Sequence, residues 1–431
     1  MKKIFTFLAI TIAFTVNAQN NTNIGTQSLE SNTTGNDNSA FGYRSLKSNT
    51  SGDDNTAVGS ESLKLNTTGY WNSAFGYRSL RSNTIGKGNS AFGNLSLESN
   101  TEGVDNSAFG DLALEDNSTG DRNTALGSGV LKNNLTGGSN TAVGSRSMET
   151  NNSSYNTAVG TLALAGTNWG MSITNANNNT AVGYQALVKN EGSSNVATGA
   201  RTLQLNTSGD YNVATGYYAL YNNTTASNNT ANGTQSLYNN TGANNTALGY
   251  KSLFLNTTGA NNTAFGYNAM ASANNATNQT IIGYEATGQV DNSVVLGNDD
   301  VIAVYMGEDS GAKVYAGEGS FTGNMTVGGD IVVSSDARLK ANIVSLGSTL
   351  AKLLLIDGKS YTMKKDGKQK IGVLAQEIQT VFPELVTTDD KDMLAVNYQG
   401  LVPVLINALK EQQSEIDELK EMFKELIAKQ K

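Results

Sequence analysis

The fold is decided by a stretch that reads Asn55-Thr56-Ala57-Val58-Gly59, then Ser62-Leu63, then Asn66-Thr67-Thr68-Gly69. The first glycine of this pattern recurs every 17 residues, without exception, at positions 25, 42, 59, 76, 93, 110, 127 and 144. The pattern continues at positions 160, 183, 199, 216, 233, 249, 266, 283 and 297, with slips of one residue and one longer insertion around Trp169. A fixed short period of this kind predicts a solenoid.

The length of one repeat selects the type of solenoid. Seventeen residues are too few for a pair of helices, but they suffice for two short strands and two turns. We expect one turn at the Asn-Thr-Thr-Gly segment, where Gly or Asn can adopt positive φ. Because side chains alternate along a strand, Ala57 and Gly59 share one face and the larger Val58 lies on the other. The small face is predicted to line the inside of a narrow parallel β-roll, with the Val58 row and the Leu63 row as further hydrophobic seams.

A single roll of this kind buries little apolar surface. Each coil offers about four modest apolar side chains against roughly 1–2 kcal/mol of backbone entropy per ordered residue. We therefore expect chains to associate through the Val58 row. That row is polar in three successive coils, at Thr198, Thr215 and Asn232. This is either drift in a surface-facing row or a buried polar layer between chains that holds an ion or water.

The N-terminal 18 residues have the pattern of a secretory signal peptide. Lys2 and Lys3 give the positive start, residues 4–16 the apolar run, and Val16-Asn17-Ala18 a small-residue cleavage site. The apolar run is shorter than the roughly 20 residues that a spanning helix needs. We expect an exported protein, secreted or at the cell surface, with no transmembrane segment once the signal is removed.

The composition excludes several classes of chemistry. The 431 residues include no histidine and no cysteine, which excludes Ser-His catalysis, thiol nucleophiles, disulfides and most zinc sites. We predict no cofactor and no metal site. The net charge is −8, and residues 4–334 hold 13 Lys and Arg against 23 Asp and Glu. An acidic surface repels phosphate, so nucleic acid is a poor partner.

The sequence divides into further parts beyond the repeats. Residues 19–298 make up the repeat rod, residues 299–334 a connector with β-like runs at 301–306 and 325–333, and residues 335–400 a small α+β domain. Residues 401–431 are predicted to form a coiled-coil helix, because a seam of residues falls alternately three and four apart. That seam consists of Val402, Leu405, Leu409, Gln412, Ile416, Leu419, Phe423 and Leu426. The seam does not decide whether two or three helices form the coiled coil.

The start of the α+β domain places a serine and a lysine five residues apart, Ser335 and Lys340. A serine hydroxyl is a weak nucleophile that needs a base, and a lysine can serve when desolvation leaves it neutral. Ser335 would then attack the carbonyl of Ser334, and water would hydrolyse the resulting ester. Ser334, Ser335 and Asp336 are equally suited to capping a helix. The spacing alone leaves self-cleavage and capping both open.

The last coils resemble the head repeats of trimeric autotransporter adhesins. The stretch Asn292-Ser293-Val294-Val295-Leu296-Gly297 is similar to that family's Asn-Ser-Val-Ala-Ile-Gly signature, and the spacing from Gly283 to Gly297 tightens to the family's period of 14. The resemblance implies a left-handed parallel β-roll that assembles as a trimer. It therefore favours a coiled coil of three helices at the C-terminus. The other coils differ from the family by a longer Asn-Thr-Thr-Gly turn.

The C-terminal part resembles the intramolecular chaperone domain of phage tail-spike endosialidases and tail fibres. The similarity is carried by four ordered motifs, which are Ser335-Asp336-Ala337-Arg338-Leu339-Lys340, the stretch from Ile371 to Glu377, Phe382-Pro383-Glu384-Leu385-Val386, and Val396-Asn397-Tyr398. The resemblance implies a domain that trimerises, guides folding of the fibre before it, and cuts itself off at the serine. Ser335 and Lys340 would be the catalytic dyad and Ser334–Ser335 the cleaved bond. Asp336, Arg338, Gln376 and Glu377 would have supporting roles.

The sequence therefore predicts a mainly β, exported, trimeric fibre whose C-terminal domain drives assembly and then cleaves before Ser335. As an enzyme it would be an autocatalytic serine endopeptidase that acts once per chain. The alternative is a non-cleaving surface adhesin or structural fibre, in which the C-terminal domain stays attached as a permanent trimer clamp. The expected partner is the chain itself, as a homotrimer. A cell-surface or glycan ligand of the rod would be a second partner, and the sequence does not identify it.

Overall fold

The computed structural model describes residues 20–166, 176–304, 333–364, 367–389 and 392–430, together with 325, 327 and 331. The chain splits into two compact units, Met1–Lys313 and Val314–Lys431. The predicted signal peptide, the insertion around Trp169 and most of the connector lie outside the described residues.

The first unit is a parallel β-solenoid with a 17-stranded sheet, in which each strand pairs with the next along the chain. The register is exact in the repeat, so that Ala57 lies beside Ala40 and Ala74 in the neighbouring coils. The first nine strands are β1 Thr22–Ile24, β2 Ser39–Phe41, β3 Thr56–Val58, β4 Ser73–Phe75, β5 Ser90–Phe92, β6 Ser107–Phe109, β7 Thr124–Leu126, β8 Thr141–Val143 and β9 Thr157–Val159. The others are β10 Thr180–Val182, β11 Val196–Thr198, β12 Val213–Thr215, β13 Thr230–Asn232, β14 Thr246–Leu248, β15 Thr263–Phe265, β16 Thr280–Ile282 and β17 Val294–Leu296.

The interior of the solenoid is lined by the alanine and leucine rows. Ala57 and Leu63 are both fully buried, as are their counterparts in most other coils, whereas Val58 on the outer face is partly exposed. The prediction that the small face points inward is confirmed. The expectation of a second strand in each coil is wrong for the described coils. Leu63 instead has φ 48°, and its N–H donates to the carbonyl of Ser79 in the next coil, so this turn satisfies its backbone without extending into a strand.

Two ladders of buried asparagine side chains, which the repeat pattern did not predict, run along the solenoid. In the first ladder, Asn72 Nδ2 donates to Asn55 Oδ1 at 3.1 Å and to the carbonyl of Gly86 at 2.9 Å. In the second, Asn66 Nδ2 donates to Asn49 Oδ1 at 2.8 Å. Each side chain therefore ties one coil to the next while it satisfies buried backbone groups.

Close packing, and not a positive φ, is the reason for the glycine in the Asn-Thr-Thr-Gly segment. Neither Asn66 nor Gly69 has a positive φ. A Cβ on Gly69 would lie 2.4 Å from Asn66 Oδ1 and 2.4 Å from the carbonyl oxygen of Gly86. The expected left-handed conformation at this turn is therefore wrong, because the constraint comes from the asparagine ladder and the coil stacked beside it.

The second unit combines two short hairpins with three helices. Strands β18 Lys359–Thr362 and β19 Gln369–Gly372 form one antiparallel pair, and β20 Val386–Thr388 and β21 Leu394–Val396 form the other. The helices are α1 Leu350–Leu353, α2 Ala375–Val381 and α3 Leu401–Lys429, and 3₁₀ turns span Ala337–Leu339, Pro383–Leu385 and Tyr398–Gly400. Ile378, Phe382 and Val404 form the buried centre. The predicted sequence of a β-solenoid, a small α+β region and a long C-terminal helix is confirmed.

Candidate functional site

The serine and the lysine singled out by the sequence lie in contact. The Lys340 ammonium donates a hydrogen bond to Ser335 Oγ, with 2.7 Å between Nζ and Oγ. The two residues flank the 3₁₀ turn Ala337–Leu339, and the N–H of Lys340 closes that turn on the carbonyl of Ala337 at 3.1 Å. One tight turn therefore brings together two side chains that are five positions apart in the sequence.

Asp336 and Arg338 hold that turn. The Asp336 carboxylate caps it by accepting from the Arg338 backbone N–H at 2.8 Å, and it also pairs with the Arg338 guanidinium, with Nη2 at 2.7 Å. The side-chain and backbone donors of Arg338 lower the pKa of Asp336, and the carboxylate in turn raises the pKa of Arg338. The Arg338 side chain is 88% exposed. Both residues thus shape the loop between Ser335 and Lys340. Their supporting role in cleavage stays a prediction.

The dyad lies on the surface of the single chain. Ser334, Ser335 and Lys340 are all exposed, as is the whole described segment from 333 to 348. In the observed contact the lysine Nζ donates to the serine oxygen. Acceptance of the serine proton requires a neutral lysine, and desolvation is the effect that favours the neutral form. Ser335 and Lys340 are therefore in contact, and none of the described residues buries the pair.

The other two predicted supporting residues lie on α2, away from these contacts. Gln376 is exposed, and Glu377 forms an ion pair with Lys359, with 3.1 Å between Oε1 and Nζ. The second carboxylate oxygen of Glu377 is buried and has no hydrogen-bond partner among the described residues. No hydrogen bond or ion pair in the described part of the chain joins Gln376 or Glu377 to Ser335 or Lys340.

The remaining motif residues build the domain itself. The Tyr398 hydroxyl accepts a hydrogen bond from the Val373 N–H at 3.2 Å. A Cβ on Gly372 would lie 2.7 Å from that hydroxyl, which explains why glycine precedes Val373. Asn397 Oδ1 accepts from the N–H of Gly400 at 3.1 Å and thereby caps the 3₁₀ turn before α3. These motifs position the helices and not the dyad.

A clamp between α1 and α3 was not anticipated. Glu411 accepts hydrogen bonds from Ser348 Oγ at 2.8 Å, from the Thr349 N–H, and from the Leu350 N–H at 3.1 Å. These donors lower its pKa, with the Thr349 N–H as the largest cause. The carboxylate satisfies the free N–H groups at the start of α1. A separation of about 60 residues left no local signal for this contact.

Large apolar surfaces are exposed in the single chain. On α3, Leu409 is 67% and Phe423 is 64% exposed, and near the dyad Val344 is 83% exposed. On the solenoid, Phe75, Phe92 and Phe109 stack along the outer strand face at 4.6 and 4.9 Å between ring centroids. Exposed apolar area of this extent marks interaction surfaces. In the described chain no helix has both the length and the apolar character needed to cross a membrane.

The three polar residues of the outer strand row also lie on the surface of the solenoid. Thr198, Thr215 and Asn232 are exposed and lie in register in three adjacent strands. A single chain does not test whether they line an axis between chains. The polar layer stays a prediction.

Comparison with known proteins gives the second unit a family. Residues 335–387 match the family described as chaperone of endosialidase. The long tail fiber protein Gp37 of Salmonella phage S16 is 35% identical over 108 residues, which cover 22% of this chain and 14% of that protein. Gp37 of Escherichia phage AR1 is 36% identical over 92 residues, 19% of this chain and 8% of that protein.

A third relative, Gp37 of Enterobacteria phage Ox2, is 29% identical over 137 residues, 30% of this chain and 52% of that protein. The matches thus span about half or less of these relatives. The motif-based recognition of the C-terminal domain is confirmed, and from residue 335 the chain carries a chaperone-of-endosialidase domain.

Proposed function

We propose that this protein is an extracellular fibre whose C-terminal domain assembles three chains and then cuts the chain between Ser334 and Ser335. The observation that carries the proposal is the 2.7 Å contact between Lys340 Nζ and Ser335 Oγ. The match of residues 335–387 to the chaperone-of-endosialidase family supports it. So does the similarity to proteins named as long tail fibers. The predicted signal peptide agrees with export.

The cleavage needs only groups of the chain and one water. Lys340, once neutral, accepts the proton of the Ser335 hydroxyl as Oγ attacks the carbonyl carbon of Ser334. The C–N bond between the two residues then breaks, the new amino group of Ser335 takes up a proton, and the acyl group is held as an ester on Oγ. Water hydrolyses that ester, leaving a carboxylate on Ser334 and a free hydroxyl on Ser335. Asp336 and Arg338 keep the turn closed throughout.

Association of chains would supply the burial that the dyad lacks. The exposed apolar residues Val344 and Leu339 lie in the same segment as Ser335 and Lys340, so a surface that covers the former also removes water from the latter. Desolvation disfavours the charged form of lysine. Cleavage would then follow assembly, and each cut would report that three chains had come together.

A second candidate function is a trimer clamp that never cleaves. It is favoured by one observation, the exposure of Ser334, Ser335 and Lys340. In this case Lys340 and Asp336 would only stabilise the turn. The apolar face of α3 would still hold three chains together, because its seam does not depend on the dyad.

Intact mass of the purified protein separates the two candidates. We expect the wild-type chain to split between Ser334 and Ser335, and both Ser335→Ala and Lys340→Ala to stay full length. Ser348→Ala is the matched control, since its hydroxyl contacts Glu411 and not the dyad. A wild-type chain that is trimeric yet uncut would establish the clamp instead.

A further inference from the structure

One side of the solenoid changes character along its length. The side is formed by the residues two and five positions after each repeat glycine. Near the N-terminal end these rows are charged, and Glu61 pairs with Lys64 at 2.8 Å and with Arg81 and Arg78 at 3.2 and 3.3 Å. The hydrogen bond from Lys64, with help from Arg81, lowers the pKa of Glu61 to about 2. In these coils each of the three cations therefore has a carboxylate beside it.

The same two rows are aromatic further along the solenoid. Tyr221, Tyr238 and Phe254 stack at 5.2 and 5.3 Å between ring centroids, and Tyr218 meets Tyr221 edge to face at 4.9 Å. With two cations that lie over these rings, Arg201 and Lys251, they form what we call the aromatic platform. The buried alanine and leucine rows beneath are the same as in the charged coils, so the solenoid does not require rings at these positions.

The two cations of the platform lack the acidic partners seen in the charged coils. Arg201 lies over the rings of Tyr218 and Tyr184 at 5.6 and 5.9 Å, and it donates a hydrogen bond to the Tyr218 hydroxyl. Lys251 lies 5.4 Å from the centroid of Phe254. Neither forms an ion pair with an acidic side chain in the described part of the chain. The rings thus orient two positive charges that have no acidic partner among the described residues. Residues 199–266 hold only one acidic residue, Asp210, although residues 4–334 are acidic as a whole.

The orientation of the rings adds to this positive character. Tyr221 and Tyr238 are nearly parallel, at 7° between planes, so each ring covers a face of the other and leaves its own edge free of that contact. The edge of an aromatic ring carries the positive part of its quadrupole. The Tyr218 oxygen already accepts from Arg201, and a hydrogen bond with Tyr217 lowers the pKa of Tyr218. A hydroxyl that accepts hydrogen bonds still has one proton to donate, so Tyr218 can donate to a ligand.

We propose that the aromatic platform binds an acidic polysaccharide, with carboxylate groups held by Arg201 and Lys251 and sugar hydroxyls held by the tyrosine hydroxyls. The two cations are three coils apart, or about 14 Å at about 4.8 Å per coil, so one extended sugar chain running along the solenoid reaches both. A polymer is favoured over a single sugar acid because the rows continue along the axis. This inference concerns the solenoid and does not depend on cleavage at Ser335.

The test measures binding of the full chain to polygalacturonate, with dextran as the neutral polysaccharide. All variants carry Ser335→Ala, so that the outcome is independent of cleavage. We expect binding to polygalacturonate that weakens about tenfold in Arg201→Gln/Lys251→Gln and falls as salt is added. The matched control is Arg44→Gln/Arg78→Gln, which removes two arginines that also lie over tyrosine rings, at 4.7 and 5.0 Å, but beside Glu61. The control should bind as the parent does.

A second variant guards against a folding artefact. Tyr218→Phe removes one hydroxyl and keeps the ring, and we expect it to weaken binding about threefold. Equal binding to dextran would overturn the acidic character of the ligand. Absence of binding to polygalacturonate would overturn the proposal altogether. In that case, sedimentation that finds altered self-association of Arg201→Gln/Lys251→Gln would identify the platform as a contact between chains.

Discussion

The asparagine ladders make a quantitative prediction for a single buried side chain, that of Asn72. Its Oδ1 accepts from both the N–H and the Nδ2 of Asn89, each at 3.1 Å. Its Nδ2 donates to Asn55 Oδ1 and to the carbonyl of Gly86. Asn72→Ala removes all four contacts at once. The residue is fully buried, so water does not replace them without opening the coil.

The cost follows from which groups keep another partner. The Gly86 carbonyl still accepts from Asn83 Nδ2 at 3.0 Å, and Asn89 Nδ2 still donates to the Gly103 carbonyl at 2.8 Å. The N–H of Asn89 keeps none of its observed partners. One orphaned buried donor costs about 1–3 kcal/mol, and the space left by the side chain adds to that. We therefore expect a local destabilisation of about 2–4 kcal/mol.

Amide hydrogen exchange is the suitable assay, because long repeat arrays do not unfold in one cooperative step. A loss of about 2–4 kcal/mol corresponds to a fall in protection of roughly 30- to 1,000-fold in the coils around residues 86–93. The control is Asn94→Ala, which removes an exposed side chain with a single hydrogen bond, to Asp111 at 2.8 Å. If both variants exchange at the same rate as the parent, the ladder does not stabilise the solenoid and the reasoning is refuted.

Three further predictions concern the backbone, pH and assembly. Gly59→Ala should destabilise its coil by about 2–3 kcal/mol or more, as measured by exchange, because φ is +135° and a Cβ would lie 2.3 Å from the Gly76 carbonyl oxygen. Since the pKa of Glu411 is lowered in the folded domain, its contribution is fully present above the ordinary value of about 4.3 and is lost as pH falls through the lower folded value. In Glu411→Gln the melting temperature should fall less steeply as the pH is lowered through this range. Leu419→Lys/Phe423→Lys should leave the chain monomeric by sedimentation and uncut by mass, and a cut monomer would contradict the proposed coupling of cleavage to assembly.

The period of the sequence was enough to predict the parallel solenoid and the inward alanine row. Both follow from the alternation of side chains about one strand, as in Thr56-Ala57-Val58. The asparagine ladder could not be read in the same way. A repeated Asn-Thr-Thr-Gly has the composition of a turn, and the bond from Asn66 to Asn49 exists only because the coils stack in exact register.

The candidate site was predictable to a similar depth. The motif predicted Ser335 and Lys340 as a pair, and the two side chains are in contact in the structure. The exposure of that pair has no signature in the sequence, because burial depends on what packs over the segment. The contact between Glu411 and Thr349 was not predicted, for a related reason. In the sequence, a carboxylate on the flank of a helix is indistinguishable from a solvated charge, and only the folded chain places it at the N-terminus of α1.

The regularity of the solenoid explains why such a fibre would need an assembly domain. Between positions 25 and 144 the coils share one period, so chains that associate through the outer row could slip by a whole coil and keep most contacts. Irregular coils restrain this slip only locally. In the coil from Gly144 to Gly160 the repeat shortens to 16 residues. In the preceding coil, Asn134 Oδ1 has no hydrogen-bond partner among the described residues.

The second unit has no repeat, and its exposed helix α3 offers a single seam with one best register. Chains that meet there first would enter the solenoid already aligned, which avoids the slow search among non-local strand pairings. On this argument the proposed cleavage is useful only after alignment. A Ser335–Lys340 pair that is exposed in the single chain, and so without the desolvation that favours a neutral lysine, is the arrangement that such an order of events requires.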